Sequence, residues 1–296
     1  MRVLLIDIGN SRIKWRFVDP RHDWPQHDDV EHANPSNQSG TLALIELPRL
    51  AQRLRAVHVP GLDAVHLSNV AGTEAEDTLR SAVSASWGGV PVHSLIPNAA
   101  QCGVSNGYRD KTQLGPDRWA AMLGAHALAP DRHLLVCSFG TATTIDLLLA
   151  EDHAHRASFE GGLILPGFDT MRRALARDTA RLPLAQGEVV DFAIGTDDAI
   201  ASGIAAAQAG AVVHALRKAR ARAASRDRER GAPRPFACVL AGGGANTMAA
   251  YLSDLDVPIH SVPDLVLRGL HAVAHDRHPG DGTGRAHNST LVRERS

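Results

Sequence analysis

A turn near the start of the chain carries residues that could bind phosphate. Asp7 closes an apolar run, and Gly9 and Asn10 follow it. A glycine among small polar residues at a tight turn lets backbone N–H groups converge, and such amides bind phosphate without a positive side chain. Asp7 could hold Mg²⁺ through water, and Lys14 could add a positive charge near the phosphates. A purely structural hairpin turn would explain the same residues.

An acid and a base stand side by side at Asp117 and Arg118, just after Gly115 and Pro116. They begin an apolar pattern at helical spacing, so Asp117 is predicted to be the N-cap of a helix. A cap explains the aspartate but not the arginine beside it. The guanidinium could hold a substrate carboxylate through two hydrogen bonds while the Asp117 carboxylate accepts the proton of a hydroxyl group.

A run of three glycines, at 242–244, follows a strand pattern and precedes a helical one. Such a turn lets a nucleotide base or ribose approach the backbone closely. The chain has no GxxxxGK[ST] motif, which excludes a P-loop, and the glycine run does not complete the GxGxxG motif of dinucleotide-binding folds.

Strand and helix patterns alternate around these turns, which predicts an α/β fold. Strands are predicted at 2–8, 12–18, 64–69, 90–96, 133–137, 143–149, 236–241 and 257–262, and helices at 41–58, 73–87, 117–128 and 197–224. Residues 19–40 are polar and aperiodic, which predicts an exposed loop. Its histidines, His22, His27 and His32, lie five residues apart with no cysteine partner, so a solvated loop explains them better than a metal site.

Two segments of the chain share one pattern. Residues 5–11 and 136–142 each contain an apolar strand, a small polar residue (Asp7 or Ser138), one apolar residue, a glycine and small hydroxyl or amide residues. Both then enter another strand. The repeat distance of about 130 residues is too long for a solenoid and predicts two similar lobes. Two unrelated glycine hairpins could also look alike.

The composition indicates a globular protein. The 296 residues suffice for two domains or one large one, and 44% hydrophobic with 21% charged residues excludes a largely disordered, collagen-like or coiled-coil chain. A net charge of -1 gives no general attraction to nucleic acid or anionic membrane. The three separated cysteines indicate no disulfide framework, and neither a signal peptide nor a run of 18 apolar residues is evident. We therefore expect a cytoplasmic protein.

Four motifs occur in an order that resembles the type III pantothenate kinases, and the resemblance spans residues 2 to 275. The motifs are residues 7–11, 115–118, 139–146 and 161–167. The resemblance implies ATP-dependent phosphorylation of pantothenate to 4'-phosphopantothenate, the first step of coenzyme A biosynthesis. It also implies a homodimer in which the pantothenate site is completed at the subunit interface.

The fold that the resemblance implies is the duplicated actin-like ATPase and sugar-kinase fold. We expect an N-terminal lobe at 1–125 and a C-terminal lobe at 126–275. Residues 276–296 are polar and unpatterned, and we expect them to form a mobile tail.

The resemblance also implies roles for single residues. Asp117 is the implied general base, with Mg²⁺ near Asp7. The residues implied to bind ATP are Asp7, Gly9, Asn10, Ser11, Lys14 and Thr141. Those implied to bind pantothenate are Tyr108, Gly115, Pro116, Asp117, Arg118 and Thr196. Phosphoryl transfer needs ATP and a hydroxyl held in line, positive charge on the phosphates and a carboxylate to receive the proton, and this set supplies each.

One position departs from the family pattern. Where many relatives have an aspartate that binds a monovalent cation, this chain has Ser138. A neutral hydroxyl binds K⁺ more weakly than a carboxylate does. We therefore expect activity that depends less on K⁺ or NH₄⁺ than in relatives with the aspartate.

Two other functions compete with this interpretation. Residues 103–107 match GxSxG, the nucleophile elbow of serine hydrolases, but the elbow needs a preceding apolar strand and a following helix, which the sequence lacks. A nucleotide-binding regulator without turnover is the second. Residues 217–234 carry eight Lys and Arg against two acids, but no aromatic residues are interleaved for base stacking, so a solvated helix end is favoured over a nucleic-acid site.

Overall fold

The computed structural model describes residues 1–24, 38–56, 61–151, 155–231 and 233–277. The chain forms two compact units. The first unit contains Met1–Pro130 and Asp264–Ser296, and the second unit contains Asp131–Pro263. The division therefore falls at 130/131 rather than at the expected 125/126, and the last helix belongs with the first unit. Beyond Arg277, the expected tail lies outside the described residues.

The first unit is built on a five-stranded sheet in the order β3-β2-β1-β4-β5. Strand β1 pairs antiparallel with β2 and parallel with β4. Its strands are β1 (Val3–Ile8), β2 (Arg12–Val18), β3 (Ser39–Ala43), β4 (Ala64–Asn69) and β5 (Val92–Ser94), and it also contains the hairpin of β6 (Ala100–Gln101) and β7 (Val104–Asn106). Its helices are α1 (Leu50–Ala56), α2 (Thr73–Trp87), α3 (Pro116–Leu128) and α7 (Leu265–Arg277).

The second unit repeats this topology. Its strands lie in the order β10-β9-β8-β11-β12, with β8 antiparallel to β9 and parallel to β11. The strands are β8 (His133–Phe139), β9 (Ala142–Ala150), β10 (Ala157–Pro166), β11 (Phe236–Ala241) and β12 (Ile259–Ser261). The helices are α4 (Phe168–Asp178), α5 (Thr196–Arg230) and α6 (Ala245–Tyr251). The predicted duplication is confirmed strand by strand.

Strand β1 is covered on both faces. Its alternate residues Leu4, Ile6 and Ile8 belong to a buried cluster with side chains of α1 and α2. Successive strand residues point to opposite faces, so Leu5 and Asp7 face the other side, where α7 packs against the sheet. This second face carries the candidate site.

Helices α3 and α7 cross at glycines. A Cβ atom on Gly269 would lie 1.8 Å from the Ala120 carbonyl oxygen, and one on Gly124 would lie 2.5 Å from the Leu265 carbonyl oxygen. Only hydrogen at these two positions lets the backbones approach so closely. This contact fixes α3, the helix that begins with Pro116 and Asp117, on the first unit.

One local prediction was wrong, and another lies mostly outside the described residues. The helix predicted at 41–58 is in fact the end of β3, a 3₁₀ helix at Leu44–Arg49 and the short α1. Pro48 lacks an N–H group, and β3 pairs with β2, so a continuous helix cannot form there. The loop predicted at 19–40 lies mostly outside the described residues, which stop at 24 and resume at 38. Sequence patterns also missed β10, in which a bulge at Gly161 interrupts the alternation.

Helix α5 is long and apolar enough to cross a membrane, with a mean hydropathy of 1.5 over 18 residues. Our search for an apolar run missed this window because Ser202, Gln208 and His214 interrupt it. A third of this window is buried. Val212 and Leu216 belong to the buried cluster of the second unit's sheet.

The basic segment at 217–234 forms the end of α5 and the residues after it. Arg222 donates to Glu160 Oε2, at 2.8 Å from Nε, and Arg226 Nη2 lies 3.2 Å from Glu160 Oε1. Two of its eight basic side chains therefore neutralise a carboxylate of β10 and hold the helix against that strand.

Candidate active site

The first hairpin places an acid opposite a base. Asp7, the penultimate residue of β1, is directly opposite Lys14 on β2 and Ser68 on β4. The turn that follows is closed by the Gly9 N–H group, which donates to the Arg12 carbonyl at 2.9 Å. Two further residues predicted to bind phosphate, Asn10 and Ser11, are exposed in this turn.

The Asp7 carboxylate is in an environment that disfavours its charge. Its Oδ1 atom is buried and has no hydrogen-bond partner among the described residues. Burial, followed by the charge of Asp117, raises the pKa of Asp7 to about 7, against the opposing effects of Ser68 and Lys14. A buried carboxylate oxygen without a partner is suited to a cation or to a water molecule that a cation holds, so the residue fits the predicted role near Mg²⁺.

Other metal sites find no support in the described part of the chain. Within residues 1–24, 38–56, 61–151, 155–231 and 233–277, no group of three or more His, Cys, Asp or Glu side chains could hold a metal ion. Of the three loop histidines, His22 lies 3.5 Å from Asp19, and His27 and His32 lie outside the described residues.

Asp117 lies in the first turn of α3. The N-cap is Gly115 and Pro116 is the first helical residue, so the prediction that Asp117 is the cap was wrong. Proline is favoured at this first position because its missing N–H group would have no helical partner. A Cβ atom on Gly115 would lie 2.5 Å from Asp117 Oδ1, so glycine is needed to leave room for the carboxylate.

The environment of Asp117 suits a group that accepts a proton. Its Oδ1 accepts a hydrogen bond from the Arg118 backbone N–H at 2.8 Å. Burial raises the pKa of the carboxyl, and the hydrogen bond and charge of Arg118 only partly oppose this. A carboxylate with a raised pKa is a stronger base than an ordinary one.

Arg118 is oriented by an aromatic neighbour. Its Nη1 atom donates to the Tyr108 hydroxyl at 2.7 Å, and its guanidinium carbon lies 5.5 Å from the centre of the same ring. The Tyr108 backbone is held in turn, since its N–H donates to Asn106 Oδ1 at 3.0 Å. The guanidinium is largely buried, with 6% of the residue exposed. Tyr108 and Arg118, both predicted from sequence to bind pantothenate, therefore contact each other directly.

Sequence analysis missed Asp264, which belongs to the first unit. Lys14 Nζ donates to Asp264 Oδ1 at 2.9 Å. The two residues are 250 positions apart, and no sequence pattern connects them. The structure therefore brings together Asp7, Lys14 and Asp264 and, through the charge interaction above, Asp117.

The second unit carries the counterpart of the first hairpin. Ser138 on β8 is directly opposite Thr144 on β9 and Ala241 on β11, in the positions that Lys14 and Ser68 take around Asp7. Thr141 is exposed in the following turn. The turn is held at the Thr141 carbonyl, which accepts from the Gly167 N–H at 3.0 Å and the Thr170 hydroxyl at 2.7 Å.

The glycine run lies where predicted, between β11 and α6. Gly242 has a φ of 87°, and a Cβ atom there would lie 2.4 Å from the Phe139 carbonyl oxygen, so this glycine serves packing within the second unit. Gly243, by contrast, has no atom within 4 Å of the place of a Cβ atom. Thr196, also predicted, is exposed as the first residue of α5.

The GxSxG segment does not form a nucleophile elbow. Ser105 lies in the middle of β7, which pairs antiparallel with the two-residue strand β6. The elbow requires a sharp turn from strand to helix at the serine. A serine hydrolase is therefore excluded at this motif.

A family model described as type III pantothenate kinase matches residues 3–218. A type III pantothenate kinase from Burkholderia mallei (strain SAVP1) is 37% identical over 286 residues, which is 92% of this chain and 98% of the relative. One from Herminiimonas arsenicoxydans is 40% identical over 275 residues, covering 92% of this chain and 97% of the relative.

Two solved structures share the fold. A candidate Baf family transcriptional activator from Campylobacter jejuni has a TM-score of 0.53 at 19% identity, covering 93% of this chain and 98% of its own. A candidate 2-dehydro-3-deoxygalactonokinase from Sinorhizobium meliloti has a TM-score of 0.53 at 16% identity, covering 94% of this chain and 99% of its own. At these identities the likeness concerns the fold alone.

Proposed function

The chain belongs to the type III pantothenate kinase family, and on that premise we propose how its residues perform the reaction. It phosphorylates pantothenate with ATP to 4'-phosphopantothenate, the first step of coenzyme A biosynthesis. Its fold is the duplicated actin-like ATPase and sugar-kinase fold. The assignments of single residues below are proposals.

Asp117 is the proposed general base, and its environment is the observation that carries the mechanism. The carboxylate is largely buried, its pKa is raised, and Gly115 leaves space beside it. One carboxylate oxygen accepts a hydrogen bond from the Arg118 N–H group. The other can accept the proton of the pantothenate hydroxyl group as the hydroxyl oxygen attacks the terminal phosphorus of ATP. The phosphorus–oxygen bond to ADP breaks as the new bond forms.

The first hairpin is the proposed phosphate site. Asn10 and Ser11 are exposed residues, and we propose that the backbone of this turn and the ammonium of Lys14 donate to phosphate oxygens. Asp7 would hold Mg²⁺ through water, and the ion would supply positive charge to the ATP phosphates. Because a nearby cation favours the ionised carboxylate, Mg²⁺ would also lower the raised pKa of Asp7.

Arg118 is the proposed partner of the pantothenate carboxylate. Tyr108 accepts from one of its N–H groups and fixes the plane of the guanidinium, whose planar set of five donors suits a two-point contact with a carboxylate. Thr196 is also proposed to bind pantothenate. Thr141 is proposed to bind ATP phosphates there, and the open space at Gly243 suits the close approach of a nucleotide.

We further propose a homodimer whose subunit interface completes the pantothenate site. Phe192 and Ile194, which lie just before Thr196 in sequence, are almost fully exposed, at 95% and 107% relative exposure. Large apolar side chains left in water favour association with a partner surface. Three free cysteines fit a reducing compartment, so the proposed location is the cytoplasm.

The decisive experiment is an assay of ADP release with pantothenate and a panel of other hydroxyl compounds, with the product mass determined. We expect release only with pantothenate or its near analogues, and a product heavier by one phosphoryl group. ATP binding without turnover on any acceptor would instead favour a nucleotide-binding regulator of the same fold.

A further inference from the structure

We propose that Asp264 is a positioning residue that holds the Lys14 ammonium ready for the ATP phosphates. The inference rests on the proposed contact of Lys14 with ATP. It adds a carboxylate from the far end of the sequence to the phosphate site of the first unit.

The Asp264 carboxylate is shared between two cations. Its Oδ1 atom accepts from Lys14 Nζ at 2.9 Å, while its Oδ2 atom lies 3.9 Å from Arg16 Nη2. Lys14 and Arg16 are next-but-one neighbours on β2, so their side chains leave the same face of the sheet. The carboxylate therefore forms a hydrogen-bonded ion pair with Lys14 and a longer ion pair with Arg16.

The backbone and its neighbours fix this carboxylate in turn. Asp264 has a φ of 54°, a left-handed conformation in which a short polar side chain is tolerated. It precedes α7, and its carbonyl accepts the Arg268 N–H at 2.9 Å. The guanidinium groups of Arg16 and Arg268 lie 5.1 and 4.9 Å from the ring centre of Trp24. The ring of Trp24 thus contacts two arginines, one of which forms the longer ion pair with Asp264.

Such an arrangement helps phosphate binding because a lysine that moves freely must lose much of its rotamer freedom when it binds. The pair with Asp264 orders Lys14 beforehand. An ammonium group has three donors, so one bond to Asp264 leaves two for phosphate oxygens. The Lys14 side chain is 35% exposed, so the ammonium remains accessible.

The experiment uses Asp264→Asn, because asparagine also tolerates a positive φ and keeps the shape of the side chain while the charge is lost. We expect Kd for a non-hydrolysable ATP analogue, measured by calorimetry, and KM for ATP to rise about fivefold, with kcat and KM for pantothenate nearly unchanged. Glu76→Gln is the matched control, since it removes a carboxylate that binds Arg80 on α2. It should leave all four constants unchanged, and thermal unfolding checks that each variant is folded.

A double-mutant cycle with Lys14→Met tests whether Asp264 acts through the lysine. We expect Lys14→Met to weaken analogue binding and Asp264→Asn to add nothing in that background. Unchanged or tighter binding in Asp264→Asn, or an equal loss with and without Lys14, would overturn the positioning role. Unchanged binding in Lys14→Met would remove both that role and the proposed contact of Lys14 with ATP.

Discussion

The hairpin β1–β2 and its counterpart β8–β9 occupy the same place in two sheets of one topology, yet only the first has an acid opposite a base beside its turn. Asp7 is opposite Lys14 in the first, whereas Ser138 is opposite Thr144 in the second. Backbone pairing needs only alternating strands and a glycine turn, which both sequences provide. Because the fold does not require these charged residues, we infer that they serve the function of the unit that carries them.

We propose that the charged side chains of the first unit serve proton transfer and phosphate binding, and that the second unit contacts phosphate through the neutral groups at Thr141. Asp117 and Arg118 add a second acid and base to the first unit, while the turn at Thr141 offers a hydroxyl and backbone groups. Four substitutions test this division.

Loss of the Asp117 charge should have the largest effect. Asp117→Asn cannot accept the hydroxyl proton, so we expect kcat to fall by roughly 10²- to 10⁴-fold with binding of an ATP analogue retained. Steady-state kinetics and calorimetry on the purified variant measure both. Asp110→Asn is a suitable control, since Asp110 only caps the 3₁₀ turn nearby through the Thr112 N–H. A folded Asp117→Asn enzyme with near-normal kcat would remove Asp117 from the role of base.

Asp7→Asn should stabilise the protein in a pH-dependent way while it lowers activity. Below pH 3.8 the carboxyl is protonated in folded and unfolded chains alike and has no effect on stability. As pH rises from 3.8 to about 7, only the unfolded chain releases the proton, so the wild type loses up to about 4 kcal/mol. Urea unfolding without Mg²⁺ or ATP should therefore show a more stable variant at pH 8 and no difference near pH 4.

Asp19→Asn is the control of opposite sign for this experiment. Hydrogen bonds from Arg21 hold the pKa of Asp19 well below its usual range, so its charge stabilises the folded chain above pH 3.8. The variant should be less stable at pH 8 than the wild type. Equal stability of Asp7→Asn and wild type at every pH would show that burial of the Asp7 charge does not lower the free energy of unfolding.

Arg118→Lys tests substrate recognition within the first unit. Lysine keeps the charge but loses the two-point contact and the planar contact with Tyr108. We expect KM for pantothenate to rise about tenfold, with KM for ATP little changed. A rise in KM for ATP alone would move Arg118 to the nucleotide side of the reaction.

Ser138→Asp makes the second hairpin resemble the first and should have the smallest effect. A carboxylate there is a stronger ligand for K⁺, so activity should become a few-fold more dependent on K⁺ or NH₄⁺ than in the wild type. Titration of K⁺, NH₄⁺ and Na⁺ chlorides at fixed ionic strength keeps general screening constant. A wild type inactive without K⁺ or NH₄⁺, and unchanged by the substitution, would place the cation elsewhere.

Local patterns predicted the parts of the site that a short stretch of sequence determines. The hairpin at Asp7, the turn before α3 and the glycine run at 242–244 all follow from apolar strands that end at glycine. The same reasoning failed at 41–58, where pairing of β3 with β2 and the ring of Pro48 override helical spacing.

Contacts between distant residues could not be predicted. The pKa of Asp7 depends on burial under α7 and on Asp117, and Lys14 meets Asp264 across 250 positions. Both follow from how helices α3 and α7 pack on the sheet, which local periodicity does not encode. The repeat around Ser138 could be predicted because it is a pattern of residues that are adjacent in sequence.

Because the chain returns to the first unit at Asp264, the two units become complete at different times during synthesis. Residues 131–263 are continuous, so the second unit is complete as soon as Pro263 has left the ribosome. The first unit begins earlier but must wait for Asp264 and for α7, whose Gly269 packs against α3. Domains fold as they emerge, at about 5–20 residues per second of translation. The half of the enzyme that is made first is therefore finished last, and until then the face of β1 that carries Asp7 lacks its covering helix.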